Sequence, residues 1–395
     1  MNNPLVYGAP ALPVGAPAFG TPIMQQIDMG QQAQPTSPTP PQTPNMAISF
    51  AADHGGCGFW RMHWPESLIN ASGRGVVTNS TIMLLDHRYY ANVKSVKIQR
   101  QVTPPQLEFV KFLRDVSNKT SKFKLYYEID DVIFPDDIPL YNKSRAAFVD
   151  PVIGKTAIEI IRNCDAITCP TKFMADYYTE KTGVPAIVVP NYLPKFWMDR
   201  FYSKSKVVEN YDYNKKRPRI GYVGSPTHLN VDNLPGVQDD LDPFVPYIRK
   251  TCKQYKWVFM GGVPQNLFDL VQSGDIEFAP WKALYEYGYA FDSLKLNVAF
   301  APLQNNKFNY AKAPIKYLEA GALGIPCVCQ DAPPYNTGPV APLRFNTPSE
   351  AMDLIKKLCT DRRYYLNESD HARKVATGYW LEDHIEEHFK VYFPS

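Results

Sequence analysis

The feature that most constrains this chain is a pattern that runs twice. Short apolar segments ending in glycine, proline or acidic residues alternate with longer stretches of helical spacing. In the first run the apolar segments are residues 46–52 (MAISFAA), 81–85 (TIMLL), 123–130 (FKLYYEID), 166–170 (AITCP) and 186–191 (AIVVPN). Each is short and bounded by turn residues, so each predicts a strand. Residues 105–116 and 151–163 lie between them and predict helices. The second of these puts Ile153, Ala157, Ile160 and Ile161 on one face. A polar, basic stretch at 202–219 interrupts the pattern, which restarts with 219–224 (RIGYVG), 256–262 (KWVFMGG), 276–278, 296–302 (LNVAFAP) and 326–330 (PCVCQ). Strand–helix alternation implies a mostly parallel sheet with helices on both faces. Two runs predict two doubly wound α/β domains, 46–205 and 206–375, with a linker near 195–215. Residues 370–392 read as helix, so 376–395 are expected to close the chain as a C-terminal helix.

Residues 1–45 stand apart, with ten prolines and a single charge, Asp28. Proline at this density neither continues a helix nor pairs within a central strand. The segment is expected to be a disordered Pro/Gln/Ala-rich tail, able to dock on a protein partner through its apolar patches at 5–7 and 19–24. Over the whole chain the charge is balanced, 42 Lys and Arg against 39 Asp and Glu. A net charge of +3 does not by itself argue for nucleic acid. The apolar runs fall short of the roughly 18 residues of a membrane span. The first basic residue is Arg61, so neither a secretory signal nor a mitochondrial presequence is expected. Seven cysteines, an odd and sparse set, read as reduced thiols of a cytoplasmic protein.

Ligands of doubly wound folds lie outside the carboxyl ends of the strands, so the informative residues should follow strands. The segment 305–331 (NNKFNYAKAPIKYLEAGALGIPCVCQD) is the richest. Pro314 suits the first turn of a helix that Gly324 would end. Lys312 precedes that helix and Lys307 lies five residues earlier, so its N-terminus makes an anion site. Glu319 sits where the helix dipole disfavours an anion, among residues that look buried. It is read either as a carboxylate for the vicinal hydroxyls of a ribose or as an i,i+3 partner of Lys316. Gly224 and Ser225 follow the first strand of the second run, where glycine lets backbone approach a diphosphate. Gly55 and Gly56 form the matching loop of the first run. Asp130 and Asp131 end a strand and suit hydroxyl binding, metal binding or proton transfer. His384 and His388 lack the glutamate of a zinc protease motif, and Cys164/Cys169 and Cys327/Cys329 lack zinc spacing, so no metal site is expected.

The segments FNYAK (308–312) with KYLEAGALGIP (316–326), and IGYVGSPTH (220–228), resemble the donor-binding motifs of GT-B glycosyltransferases. The resemblance is to the retaining family 4/family 1 group related to glycogen and sucrose synthases, and it covers about 46–395. It implies a GT-B fold of two Rossmann-like domains facing across a cleft. The second domain would bind a nucleotide sugar, most simply a UDP-sugar, as co-substrate, with no bound cofactor and no required metal. Glu319 would hold the ribose. Lys307 and Lys312 would contact the diphosphate, and Gly55, Gly56, Gly224 and Ser225 would cradle the donor. Asp130 and Asp131 would stand in the catalytic region. The chain departs from the family pattern at Ala311, where a second glutamate is common, and lacks an evident match to the first-domain histidine. The implied activity is sugar transfer, with retention, to a hydroxyl acceptor. That acceptor is a glycan or, if the chain is bacteriophage-encoded and works in the host cytoplasm, a 5-hydroxymethyl pyrimidine of DNA. The competing expectation is a non-catalytic scaffold of the same fold.

Overall fold

The computed structural model describes residues 45–395. The expected tail at 1–45 lies, but for its last residue, outside the described residues. The strands are β1 (Asn45–Phe50), β2 (Gly75–Asn79), β3 (Val93–Gln99), β4 (Lys124–Glu128), β5 (Ala166–Cys169), β6 (Ala186–Val188), β7 (Arg219–Val223), β8 (Lys256–Met260), β9 (Glu277–Ala279), β10 (Val298–Ala301), β11 (Cys327–Gln330) and β12 (Arg344–Phe345). They form two six-stranded parallel sheets, ordered β2-β1-β3-β4-β5-β6 and β12-β11-β10-β7-β8-β9. Central strands such as β5, β8 and β10 are buried almost throughout because helices cover both faces, which is why they read as unbroken apolar runs.

One strand expectation needs correction. Residues 81–85 (TIMLL) form no strand. They lie in an exposed connection, with Ile82 63% and Leu85 69% accessible. The strand there is β3, whose sequence VKSVKIQ carries a lysine, Lys97, that is nevertheless buried. Its ammonium lies 2.7 Å from Glu128, which also accepts from Arg61 Nε at 2.7 Å and from Thr168 Oγ1 at 2.7 Å. Arg61 and Lys97 keep the Glu128 carboxyl below its ordinary range against the opposing effect of burial. Arg61 Nη1 donates to the Val189 carbonyl and to Asn191.

The linker expected near 195–215 is not open either, since Lys195–Met198 and Lys204–Tyr213 are helical. The expected closing helix at 370–392 is two helices, Arg362–Thr377 and Ile385–Tyr392. Between them Trp380 bridges Leu193, and the last helix crosses to the first sheet. There Ser95 Oγ donates to the Tyr392 carbonyl at 2.6 Å, and the Tyr392 hydroxyl donates to Glu66 at 2.7 Å. Tyr392 is fully buried, so the chain's end is core of the half in which the described chain begins. Gly324, at φ +72, ends the Ile315–Ala322 helix as expected, and the tight reversal aims β11 back into the second sheet.

Candidate functional site

Each sheet reverses its strand order once, between β1 and β3 and between β7 and β10. Such switch points splay the loops at the carboxyl ends and leave a crevice. A cavity of about 300 Å³ opens there, lined from both halves. From the first half come Gly56, Cys57 and Trp60 after β1, Asp130 and Asp131 after β4, and Asn191 after β6. From the second come Gly224, Ser225 and His228 after β7, Trp281 after β9, Lys312 after β10, and Lys316 and Glu319 on the Ile315–Ala322 helix.

That helix carries the chemistry. Lys316 and Glu319 are not the pair that their spacing suggests. The Glu319 carboxylate accepts from the Tyr287 hydroxyl at 2.6 Å. Burial pushes it up to about 7, while Tyr287 and Lys316 pull the other way. Lys316 Nζ is buried with no hydrogen-bond partner and lies 4.4 Å from the centre of the Tyr222 ring. Burial lowers it to about 8, Lys312 adding to the effect and Asp240 opposing it. An ammonium stripped of water and given no anion is costly to hold unless a ligand completes it. Sequence reasoning missed Lys316 because an i,i+3 carboxylate offered a simpler partner.

Of the candidate residues, Gly56, Gly224, Ser225, Lys312, Glu319, Asp130 and Asp131 line this one cavity. Gly55 does not. Its amide donates to Asp53 Oδ1 at 2.8 Å and helps shape the loop. Lys307 is also outside the lining, 60% exposed and 3.1 Å from Asp137. Lys312 Nζ reaches both Asp131 oxygens at 2.9 Å, so a cation of the second half meets a carboxylate of the first across the cavity. Asp130 is buried beside it. Desolvation raises its carboxyl above the ordinary range, and Arg100, 3.6 Å away, opposes that rise. Burial, with the Asp130 carboxylate adding to it, pushes the Cys57 thiol well up, so Cys57 is an inert neighbour rather than a nucleophile.

Trp281 also escaped sequence reasoning. Its ring is 54% exposed yet lies on Gly261, where a Cβ would come within 2.5 Å of it. Gly261 has φ +93, so both the backbone and the ring demand glycine there. Trp281 packs 5.8 Å from Tyr287, whose other side stacks on Trp197 at 5.5 Å. The wall Trp281–Tyr287–Glu319 thus passes from an open aromatic face to a buried carboxylate. Gly261→Ala is expected to displace Trp281 and to lower Tm, because the added Cβ would also meet the Gly224 carbonyl within 2.5 Å at a positive φ; thermal melts of the variant check this.

Among the described residues no group of three His, Cys, Asp or Glu side chains is placed to hold a metal ion. The paired cysteines 164/169 and 327/329 are buried free thiols, and no helix is long and apolar enough to cross a membrane.

No protein-family model matches the chain, and no curated protein matches its sequence. Solved structures do match its fold. Sucrose-phosphate synthase from Thermosynechococcus elongatus aligns with a TM-score of 0.61 at 12% identity, over 89% of this chain and 98% of that one. A glycosyltransferase from Rickettsia africae aligns at 0.57 and 10%, over 88% and 98%. Anabaena HepE in complex with UDP and glucose aligns at 0.53 and 10%, over 88% and 99%. At such identities the likeness establishes the fold: two parallel α/β halves in the GT-B arrangement, across nearly the whole length of both this chain and its neighbours.

Proposed function

We propose that this chain is a glycosyltransferase that moves a sugar from a nucleotide-sugar donor, a UDP-sugar, to a hydroxyl acceptor with retention. The observation that carries the proposal is the partnerless buried ammonium of Lys316, one turn from the buried carboxylate of Glu319 in a cavity at the switch points of both sheets. A nucleoside diphosphate answers both groups. Its diphosphate takes Lys316 and the backbone at Gly224 and Ser225, with the helix N-terminus adding its dipole. Its ribose hydroxyls donate to Glu319, whose other neighbour is Tyr287, and its base lies on Trp281. Neighbours of this fold whose names include sucrose-phosphate synthase and a complex with UDP and glucose support the same assignment.

The transferred sugar then faces Asp130 and Asp131. The bond from the anomeric carbon to the diphosphate oxygen breaks as the bond to the acceptor oxygen forms. With retention the acceptor enters on the face the diphosphate leaves, so the acceptor's proton passes to a diphosphate oxygen. Lys316 and Lys312 hold the developing charge, a set that calls on no metal ion. Lys312 reaches it by exchanging Asp131 for phosphate. The acceptor approaches the side formed by Gly56, Cys57, Trp60 and the two aspartates. A glycan hydroxyl is the favoured acceptor. A 5-hydroxymethyl pyrimidine in DNA offers the same chemistry but must first leave its stack.

Calorimetry with UDP tests the donor site. Glu319→Ala should weaken binding by about 1.5–3 kcal/mol, the worth of hydrogen bonds to a charged group. Wild-type affinity should hold from pH 7 to about 8 and fall at higher pH. The diphosphate binds the protonated ammonium, so affinity is lost as pH rises through the free-state value of Lys316, about 8. Absence of UDP binding, or of hydrolysis across a UDP-sugar panel, would leave the fold as a scaffold. Mass gain on a glycan or on hydroxymethylated DNA identifies the acceptor.

A further inference from the structure

His228 lines the donor cavity and has a task the nucleotide does not explain. Its Nδ1 lies 2.7 Å from Asp240 Oδ2, and its side chain is 10% exposed. The other oxygen, Oδ1, is fully engaged. It accepts from the Gln304 amide at 2.8 Å, from Asn309 Nδ2 at 2.7 Å and from the Tyr141 hydroxyl at 3.0 Å. Asp240 is thus an acceptor on every side, and the proton of the imidazole must sit on Nδ1. Nε2 is left with its lone pair and has no hydrogen-bond partner among the described residues. Burial, with Lys316 and Lys312 adding to it, lowers the histidine below its ordinary range, so the ring stays neutral at physiological pH.

A neutral Nε2 that can only accept does not suit phosphate oxygens, which carry no hydrogen to donate. It needs an O–H or N–H from the ligand. In the proposed function the ribose hydroxyls already belong to Glu319 and the base to Trp281. His228 instead stands with Phe308, 5.8 Å between ring centres, and Lys312, which is the edge of the cavity where Asp131 of the first half arrives. That edge is where the transferred sugar meets its acceptor. We infer that His228 Nε2 accepts a hydrogen bond from one hydroxyl of the transferred sugar, and that Asp240 fixes the tautomer that makes this possible. Resting on the nucleotide-sugar reading, this names the residue that selects the sugar. Because Tyr141 comes from the first half, the hydrogen bond it gives Asp240 ties sugar recognition to the approach of the two halves.

The test separates the nucleotide from the sugar. Dissociation constants are measured by calorimetry for UDP, UDP-glucose, UDP-galactose and UDP-N-acetylglucosamine, in the wild type, in His228→Phe and in His228→Asn. Asparagine can still donate to Asp240 but does not reach the position of Nε2. Both variants should bind UDP within twofold of wild type, which also certifies that the site is folded. Both should lose tenfold or more for at least one UDP-sugar. The deoxy analogue of that sugar lacking the recognised hydroxyl should show the same loss in wild type, with less than twofold further loss in His228→Phe. Equal weakening of UDP and all UDP-sugars, or no weakening of any, overturns the inference and leaves the nucleotide site standing. Failure of wild-type protein to bind UDP removes the nucleotide reading itself, a distinct result.

Discussion

Lys316→Met is expected to make the protein more stable and, on the proposed function, to weaken UDP binding sharply. In the folded state the ammonium is held at about 8, some 2.5 units below its ordinary 10.5. At about 1.36 kcal/mol per unit the charged form costs the fold up to roughly 3 kcal/mol. The cation–π contact with Tyr222 returns part of that, so the expected gain is about 1–3 kcal/mol at pH 7. The sign follows from linkage. A lysine lowered on folding opposes stability below its folded value, and that opposition fades as pH rises from about 8 towards 10.5. The advantage of methionine should therefore be largest at neutral pH and shrink in alkaline buffer. The same substitution removes the charge that the diphosphate needs, at about 2–4 kcal/mol, or roughly 30- to 1000-fold in UDP affinity. Thermal melts at pH 7 and pH 10, with UDP titration, check both halves. A destabilised variant, or one that binds UDP normally, would show that Lys316 is a packing element.

Glu128→Gln should have the opposite character, with a large loss of stability and little direct effect on the nucleotide. Glu128 lies between two fully buried cations, Arg61 and Lys97, each 2.7 Å away. Neutralising it leaves both cations in the core of the first half, at about 3–5 kcal/mol. Glu128→Gln/Lys97→Met should recover part of this by removing one of the stranded charges. Arg61 also holds Asn191, which lines the cavity on the first-half side, so acceptor-side kinetics should suffer before UDP affinity does. Urea melts at low temperature and UDP titration of the folded variant separate the effects. A melt within a degree or two of wild type would refute the account of the triad.

The legible parts of this fold are those where one physical signal dominates. Strands covered on both faces are apolar throughout, so β5, β8, β10 and β11 could be read directly. The Ile315–Ala322 helix was legible because Pro314 and Gly324 punctuate both ends. Reading failed where composition and burial part company. TIMLL looks like core and is surface, while VKSVKIQ looks amphipathic and is a central strand. Lys97 can be buried only because Glu128, 31 positions away, neutralises it, and no local pattern carries that information. The C-terminal helix is a similar case. Its helical character was legible, but its destination against Glu66 and Ser95 was not.

At the site the division is sharper. By itself the sequence determined two α/β halves, the glycine loops after β1 and β7, the acidic end of β4 and the punctuated helix bearing Glu319. All of these arise from spacing, turn chemistry and local dipoles, which act over a few residues. Only the tertiary structure decided the partners. Glu319 bonds Tyr287 from another element, and Lys316 is left without an anion. Lys312 crosses to Asp131, and Asp240 gathers His228, Asn309 and Tyr141 around one carboxylate. Charge and hydrogen bonding are settled by distance and by the absence of water, and both are fixed only when elements distant in sequence pack together, within the second half for Glu319 and His228 and across the two halves for Lys312 and Tyr141.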